Sequence, residues 1–224
     1  MEPLTLRPTL LIAKYTRIKP NHITILSFIL NITSAIFFFH GTPFSLILGA
    51  LLFESSFILD YVDGTLARLT HSVSEFGRKL DVLGGYLYSN FALVALLISQ
   101  GLLKNNFNLF LLGLLYIILN DIFHFGFLNA SAPNDPLNVT DGRYVQSSLL
   151  TFLIAKYVAL KNFFKRFRLT TFPTEIDTIN IILFLAPIFG FLFWGILFGL
   201  LAISLQFIMV VLINRERKTK HDNY

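Results

Sequence analysis

The sequence predicts an all-α integral membrane protein with six transmembrane helices and an N-terminal amphipathic helix at the membrane surface. Of its 224 residues, 54% are hydrophobic and only 14% are charged, whereas a soluble domain of this size needs more charge to cover its surface. Several apolar runs also approach the roughly 18 to 20 residues that cross a bilayer as a helix. The chain contains no cysteine, which excludes disulfides and thiolate ligands for a metal.

Six apolar segments are predicted to cross the membrane. They cover about residues 23–39, 44–59, 80–103, 107–128, 176–193 and 194–213, with a tight turn near Gly195 between the last two. Residues 129–144 are polar with two prolines and are predicted as a loop. Residues 145–168 are apolar but interrupted by basic residues, which favours an amphipathic helix in the membrane interface over a short span.

Three regions follow from this pattern. The first is an interfacial helix at 1–19, where Leu11, Tyr15 and Ile18 recur at helical spacing with basic residues between them. The second is the six-helix transmembrane domain at 20–213, and the third is a basic cytoplasmic tail at 214–224.

The distribution of basic residues predicts the orientation. With six spans, every one of the 18 Lys and Arg residues except Lys104 lies on the face that also carries both termini. Loops rich in Lys and Arg stay in the cytoplasm, so both termini and the segment after the second span are predicted to be cytoplasmic. The net charge of +5 then reflects topology and contact with anionic membrane lipids. Nucleic-acid binding is not expected, because it requires a basic face on a soluble module.

Carboxylates and small residues follow the second span at regular spacing. The set is Asp60, Asp63, Gly64, Ala67, Gly77 and Asp81. On a helix the first four occur at i, i+3, i+4 and i+7 and share one face, and the last two share a face of the next helix.

This pattern suits a metal-bound diphosphate. Gly64 and Ala67 have almost no side chain, so a ligand can approach the backbone closely, and the guanidinium of Arg68 suits phosphate oxygens. Two carboxylates on one face at a membrane boundary repel each other unless a cation compensates them. Hard oxygen ligands favour Mg²⁺ or Mn²⁺ over zinc. The alternative is that these charges only cap the cytoplasmic end of the span.

These residues resemble the signature of the CDP-alcohol phosphotransferase family, also called CDP-alcohol phosphatidyltransferases, which reads D-x2-D-G-x2-A-R-x8-G-x3-D-x3-D. Seven of its eight fixed positions match, including the eight-residue gap. The segment Pro20-Asn21-His22-Ile23-Thr24 also looks like the usual start of the family's first span. Six spans and a basic interfacial N-terminus extend the resemblance over most of the chain.

The resemblance implies an integral membrane enzyme that displaces CMP from a CDP-alcohol, commonly CDP-diacylglycerol, by an acceptor alcohol. It implies a homodimer and the following roles: metal ligands at Asp60, Asp63 and Asp81, nucleotide-pocket residues at Gly64, Ala67 and Gly77, and diphosphate binding by Arg68. The acceptor stays open, because acceptor contacts lie outside the matched signature.

The eighth signature position departs from the family, because Gly85 stands where the last aspartate is expected to deprotonate the attacking hydroxyl. General-base help is typically worth about 10²–10⁴-fold in rate. Three explanations are open: another ionisable group acts as the base, a metal-bound water or the substrate phosphate does so, or the chain binds a CDP-alcohol without turning it over. A small transporter is a further class, although the sequence lacks the paired, broken spans that many transporters use.

Overall fold

The computed structural model describes residues 20–70, 87, 89–129 and 175–221, which are helical apart from short turns. Within them we number six helices: α1 (Pro20–His40), α2 (Pro43–Leu69), α3 (Ser89–Leu102), α4 (Phe107–Asn129), α5 (Glu175–Asn180, Ile181–Leu185 and Ala186–Phe189 in succession) and α6 (Leu192–His221). The helices predicted at 1–19 and 145–168 lie outside the described residues.

In the described part of the chain, two helices are long and apolar enough to cross a membrane, α1 with 21 residues and α2 with 27. At 1.5 Å per residue α2 is about 40 Å long, whereas the hydrocarbon core of a bilayer is about 30 Å thick. Shorter apolar helices follow at Ser89–Leu102, Phe107–Phe123, Ile176–Phe189 and Leu192–Ile208. The helical architecture is therefore confirmed, and the count of six spans stays a prediction.

The chain forms two compact units. The first unit comprises Met1–Gly113 and Ile179–Gly195, and the second comprises Leu114–Thr178 and Ile196–Tyr224. In the second unit the hydroxyl groups of Tyr116 and Thr178 lie 2.9 Å apart, and both side chains are buried. Each hydroxyl therefore keeps a hydrogen-bond partner away from water. The predicted site belongs to the first unit.

A two-residue turn joins α1 to α2. Gly41 has a φ of 72°, a left-handed conformation that glycine adopts without steric cost. Thr42 caps α2, since its Oγ1 accepts a hydrogen bond from the backbone N of Ser45 at 3.3 Å. Pro43 follows at the first helical position, where its missing N–H would have no intrahelical partner. The local sequence thus dictates a tight antiparallel hairpin.

Two serine hydroxyls hold α1 against α2, at contact positions seven residues apart on each helix. The hydroxyl of Ser34 donates to the carbonyl of Gly49, and that of Ser56 donates to the carbonyl of Ser27, both at 2.8 Å. A Cβ added at Gly49 would lie 2.9 Å from the ring of Phe38, so the helices approach closely there. Small residues and interhelical hydrogen bonds are what membrane helices use to associate. The two bonds fix the register of α2, which carries the site.

The end of α3 is attached to the α1–α2 turn. The hydroxyl of Ser99 donates to the carbonyl of Phe38 at 2.6 Å, and Nε2 of Gln100 donates to the carbonyl of Gly41 at 3.0 Å. Both donors belong to a π-helical turn, Ile98–Leu102. Hydrogen bonds as well as packing therefore hold the end of α3 against the α1–α2 turn.

The turn between α5 and α6 lies at Gly190, so its expected place near Gly195 was wrong. Gly190 has a φ of 74°, and its N–H donates to the carbonyl of Ala186. Gly195 lies inside α6 instead, where an added Cβ would be 3.0 Å from that of Ala186. Hydropathy alone does not distinguish a glycine that turns the chain from one that allows close packing.

A π-helical turn interrupts α5 just before Pro187. In this turn the N–H of Ala186 donates to the carbonyl of Ile181. Pro187 itself has no N–H to continue an α-helix. This turn contacts α2. The last helix, α6, continues to His221, so most of the segment predicted as a tail after 213 is helical.

Candidate functional site

The site residues within the described ranges lie on the last three turns of α2. They are Asp60, Asp63, Gly64, Ala67 and Arg68. The helix is continuous through these positions, so the first four lie on one face. Gly77, Asp81 and Gly85 lie outside the described residues.

The two carboxylates on α2 differ in burial. Asp63 is 5% exposed, whereas Asp60 is half-buried. Both take part in polar or electrostatic interactions. An ionised carboxylate is costly to remove from water unless opposite charge and hydrogen bonds compensate it. Helix spacing brings a second acid to the same face, which increases the demand for a cation there.

Gly64 leaves open space on the carboxylate face. A Cβ added at this position would meet no atom within 4 Å in the described part of the chain. Gly64 is half-buried, and it directly follows the buried Asp63. Among the described residues, the backbone beside the carboxylates is therefore left accessible, and glycine allows a ligand to approach it closely.

Arg68 sits at the exposed end of α2. Its Nη2 donates to Oγ1 of Thr65 at 3.2 Å, and that hydroxyl donates to the carbonyl of Tyr61 at 2.8 Å. A guanidinium has five N–H donors, so this contact directs the side chain and leaves donors for an anion. Thr70 is the C-cap of the helix, and its hydroxyl donates to the carbonyl of Leu66 at 2.8 Å.

The sequence interpretation missed the apolar support behind the carboxylates. Ile23 at the start of α1 packs with Val62 and Leu66 of α2 in a buried cluster, and Leu59 packs against it. These α2 residues alternate with the site residues along the helix. The apolar residues at 59, 62 and 66 were visible in the sequence, but their partner on α1 was not. The cluster places the first turn of α1 beside the end of α2 that carries the site.

These residues fit a divalent cation. Carboxylate oxygens are the ligands that Mg²⁺ and Mn²⁺ prefer, and Gly64 leaves room beside them. Among residues 20–70, 87, 89–129 and 175–221, no three His, Asp or Glu side chains come together. Two of the three predicted metal ligands, Asp60 and Asp63, are therefore placed on one helix face, and Asp81 falls outside these ranges.

Comparison with known proteins identifies the family. A sequence model of CDP-alcohol phosphatidyltransferases matches residues 17–212. The chain belongs to the CDP-alcohol phosphatidyltransferase family. This confirms the resemblance carried by the signature on α2. Members of the family transfer phosphorus-containing groups and generally use a divalent metal.

One curated relative is similar to part of this chain. The chain is 33% identical over 78 residues to CDP-diacylglycerol–glycerol-3-phosphate 3-phosphatidyltransferase of Rickettsia bellii. That match covers 35% of the chain and 43% of the relative, so the chain spans less than half of the relative's length.

The fold is similar to the crystal structure of Mycobacterium tuberculosis phosphatidylinositol phosphate synthase with CDP-DAG bound. The TM-score is 0.55 with 17% sequence identity, over 93% of this chain and 90% of that one. At this identity the likeness shows the fold. The family and the apolar helices together indicate a membrane protein.

Proposed function

We propose that this protein transfers a phosphatidyl or similar phospho-group from a CDP-alcohol to a second alcohol in phospholipid synthesis and releases CMP. The proposal is supported above all by one face of α2, which carries Asp60, Asp63 and Gly64. No described atom lies within 4 Å of a Cβ added at Gly64. This face lies at the C-terminal end of a long apolar helix. At that end, the diphosphate of a lipid-linked substrate would lie at the membrane surface. We take CDP-diacylglycerol as the donor, because the curated relative is named for it and the solved neighbour holds CDP-DAG.

Each site residue has a role in this proposal. Mg²⁺ or Mn²⁺ would be held by Asp60, Asp63 and Asp81, the diphosphate by Arg68, and the nucleotide by the small residues Gly64, Ala67 and Gly77. When bound, the cation supplies neutralisation of the charge that develops on the departing CMP. The protein's own contribution is to hold the diphosphate at the end of α2, with the phosphorus exposed to in-line attack.

The reaction needs a base that accepts the proton of the acceptor's hydroxyl group. The acceptor's hydroxyl oxygen forms a bond to the phosphorus that carries the lipid, and the bond from that phosphorus to the CMP oxygen breaks. CMP leaves with the electron pair, and the hydroxyl proton must pass to a base. Gly85 occupies the signature position of that base and cannot accept a proton. The proton therefore passes to another ionisable side chain, to solvent or to the substrate's own phosphate.

A second candidate function is binding of a CDP-alcohol without turnover. The specific observation in its favour is again Gly85, since loss of a general base typically slows a reaction by about 10²–10⁴-fold. The two candidates differ in one readout. Saturable binding of CDP-diacylglycerol without CMP release supports the non-catalytic function, and CMP release supports the transferase.

The decisive experiment is a CMP-release assay with CDP-diacylglycerol and a panel of acceptors that includes glycerol phosphate, inositol phosphate and serine. The chain is compared with Gly85→Asp, and Asp63→Asn serves as the inactive control in both backgrounds. We expect Gly85→Asp to raise turnover by about 10²–10⁴-fold. Equal activity in both forms would place the base elsewhere. No activity with any acceptor after Gly85→Asp would contradict the transferase.

The orientation is testable because the chain contains no cysteine. We infer that the termini and the site are cytoplasmic and that Lys104 faces the other side. An impermeant maleimide should label Lys104→Cys in intact cells and label Asn223→Cys only after lysis. The opposite pattern would invert the topology. The homodimer is a further proposal, and the mass of the particle in nanodiscs would test it.

A further inference from the structure

Thr65 follows Gly64 on α2, at a position that the family signature leaves open. Its side chain is half-buried and takes part in two hydrogen bonds. The hydroxyl donates to the carbonyl of Tyr61 at 2.8 Å and accepts from Nη2 of Arg68 at 3.2 Å. The proposed function uses Arg68 but gives no role to Thr65.

The bond to Tyr61 is of an ordinary kind, because hydroxyl side chains in helices often donate to the carbonyl four residues earlier. Thr24, Thr33 and Ser55 do the same, at 3.2, 2.7 and 2.7 Å. The hydrogen bonds that the structure describes for these three residues include none from a charged side chain. The contact with Arg68 therefore distinguishes Thr65 from them.

The two bonds of Thr65 together set the direction of the arginine. A hydroxyl has one donor and two acceptor lone pairs. Because its proton is directed at the carbonyl of Tyr61, the lone pairs of Thr65 remain for the guanidinium of Arg68. Long side chains in a helix point back toward its N-terminus, and a bond to a residue three positions earlier holds Arg68 in that direction. The guanidinium thus stays along α2 instead of extending past the end of the helix.

This direction keeps the charge of Arg68 near the accessible backbone at Gly64. The two residues are four positions apart, so they share a face of the helix. No described atom lies within 4 Å of a Cβ added at Gly64. One of the five guanidinium N–H groups is used on Thr65, which leaves the others for phosphate oxygens.

We propose that Thr65 is a positioning residue for the diphosphate of the donor, because its hydroxyl orients the Arg68 guanidinium before the substrate binds. This inference rests on the proposed function, in which Arg68 binds the diphosphate. A long side chain that becomes ordered on binding loses conformational entropy, and preorganisation removes part of that cost. Loss of the Thr65 hydroxyl therefore weakens binding of the donor and leaves the chemical step unchanged.

The test measures equilibrium binding of CDP-diacylglycerol to the full-length protein in nanodiscs with Mg²⁺. Thr65→Val removes the hydroxyl and keeps the shape of the side chain, and Thr65→Ser keeps the hydroxyl. Thr33→Val is the matched control, since it removes the same kind of bond to a helix carbonyl on α1. We expect Thr65→Val to raise Kd by about 3–10-fold, as loss of one side-chain hydrogen bond does. Thr65→Ser and Thr33→Val should bind like the unchanged protein.

A double-mutant cycle tests whether Thr65 acts through Arg68. Thr65→Val should have no further effect on Kd in an Arg68→Ala background, because the guanidinium that it orients is gone. In CMP release by the Gly85→Asp form, Thr65→Val should raise KM and leave kcat unchanged.

Three results would overturn the positioning role while the proposed function stands. They are weaker binding by Arg68→Ala but not by Thr65→Val, an equal effect of Thr65→Val with and without Arg68, and a loss in Thr65→Ser as large as that in Thr65→Val. If neither Arg68→Ala nor Asp63→Asn weakens binding, the proposed function itself is contradicted.

Discussion

Glycine has opposite roles at the two ends of the first unit. At the end with the turns, a Cβ added to Gly101 would lie 2.7 Å from the Cβ of Phe110 and 3.0 Å from its Cα. At the site end, the same addition to Gly64 meets no atom within 4 Å among the described residues. Gly101 is therefore small because another helix occupies its space. Gly64 is small beside two acids, where no described residue fills the space.

This difference separates residues that hold the fold from residues that receive a ligand. Substitutions at the closed end should lower stability, because backbone atoms cannot move away from a new methyl group. Substitutions at the open end should lower activity and leave stability nearly unchanged. Activity and thermal unfolding, measured on the same preparations, therefore distinguish the two ends.

The largest effect is expected for Asp63→Asn. The amide keeps the shape of the side chain but removes the charge that would hold the cation. Loss even of an outer-shell partner costs about 10–100-fold in metal affinity or activity, so we expect at least ~10²-fold lower CMP release. The unfolding temperature should change little. If Asp63→Asn keeps its activity in the Gly85→Asp background, Asp63 is not a metal ligand.

Gly101→Ala should have the next largest effect, and on stability. Its methyl group would meet the backbone of Phe110, and overpacking of this kind typically costs about 1–3 kcal/mol. The higher helix propensity of alanine offsets at most ~1 kcal/mol of this cost. Thermal unfolding in detergent should show a clear decrease, with turnover of the remaining folded protein unchanged. An unaltered unfolding temperature would mean that the α3–α4 contact adjusts easily.

Gly64→Ala should change activity and leave folding intact. One methyl group in a binding pocket is typically worth about 10-fold or more in discrimination, so we expect KM for CDP-diacylglycerol to rise by about 10-fold. Thermal unfolding should stay the same or improve slightly, since alanine favours a helix. An unchanged KM together with a lower unfolding temperature would mean that Gly64 is needed for helix packing, as Gly101 is.

The smallest effect is expected for Gly113→Ala. Its Cβ would overlap the end of the Leu97 side chain, but a leucine tip can rotate where a backbone cannot. The higher helix propensity of alanine offsets part of the cost, so the unfolding free energy should change by less than ~1 kcal/mol. A decrease as large as that of Gly101→Ala would show that Leu97, which is buried, has no alternative rotamer.

Length and hydropathy predicted the helices of the described residues, because a chain that crosses a bilayer needs apolar helices of a certain length. The start of α4 was expected at Phe107 and lies there, where Asn106 accepts a hydrogen bond from the backbone N of Leu109 at 3.3 Å. The α5–α6 turn was misplaced, because hydropathy does not show that Gly190 takes a φ of 74° whereas Gly195 packs against Ala186. Local sequence does not show which residues will make such tertiary contacts.

The spacing of Asp60, Asp63 and Gly64 predicted their common face, because helical periodicity alone determines it. The support behind that face was not predicted. Ile23 packs against Val62 from another helix, and a single sequence does not pair apolar residues across helices. The roles of Asp81 and Gly85 stay predictions, since they lie outside the described residues.

The paired serine contacts between α1 and α2 have a consequence for biosynthesis. Ser34 donates toward α2 and Ser56 donates toward α1, so this hairpin completes both bonds using residues 27–56 alone. A nascent chain can therefore close the hairpin in the translocon before Asp81 has left the ribosome. Asp60 and Asp63, the predicted cation ligands on α2, would then enter the membrane on a helix whose register against α1 is already set.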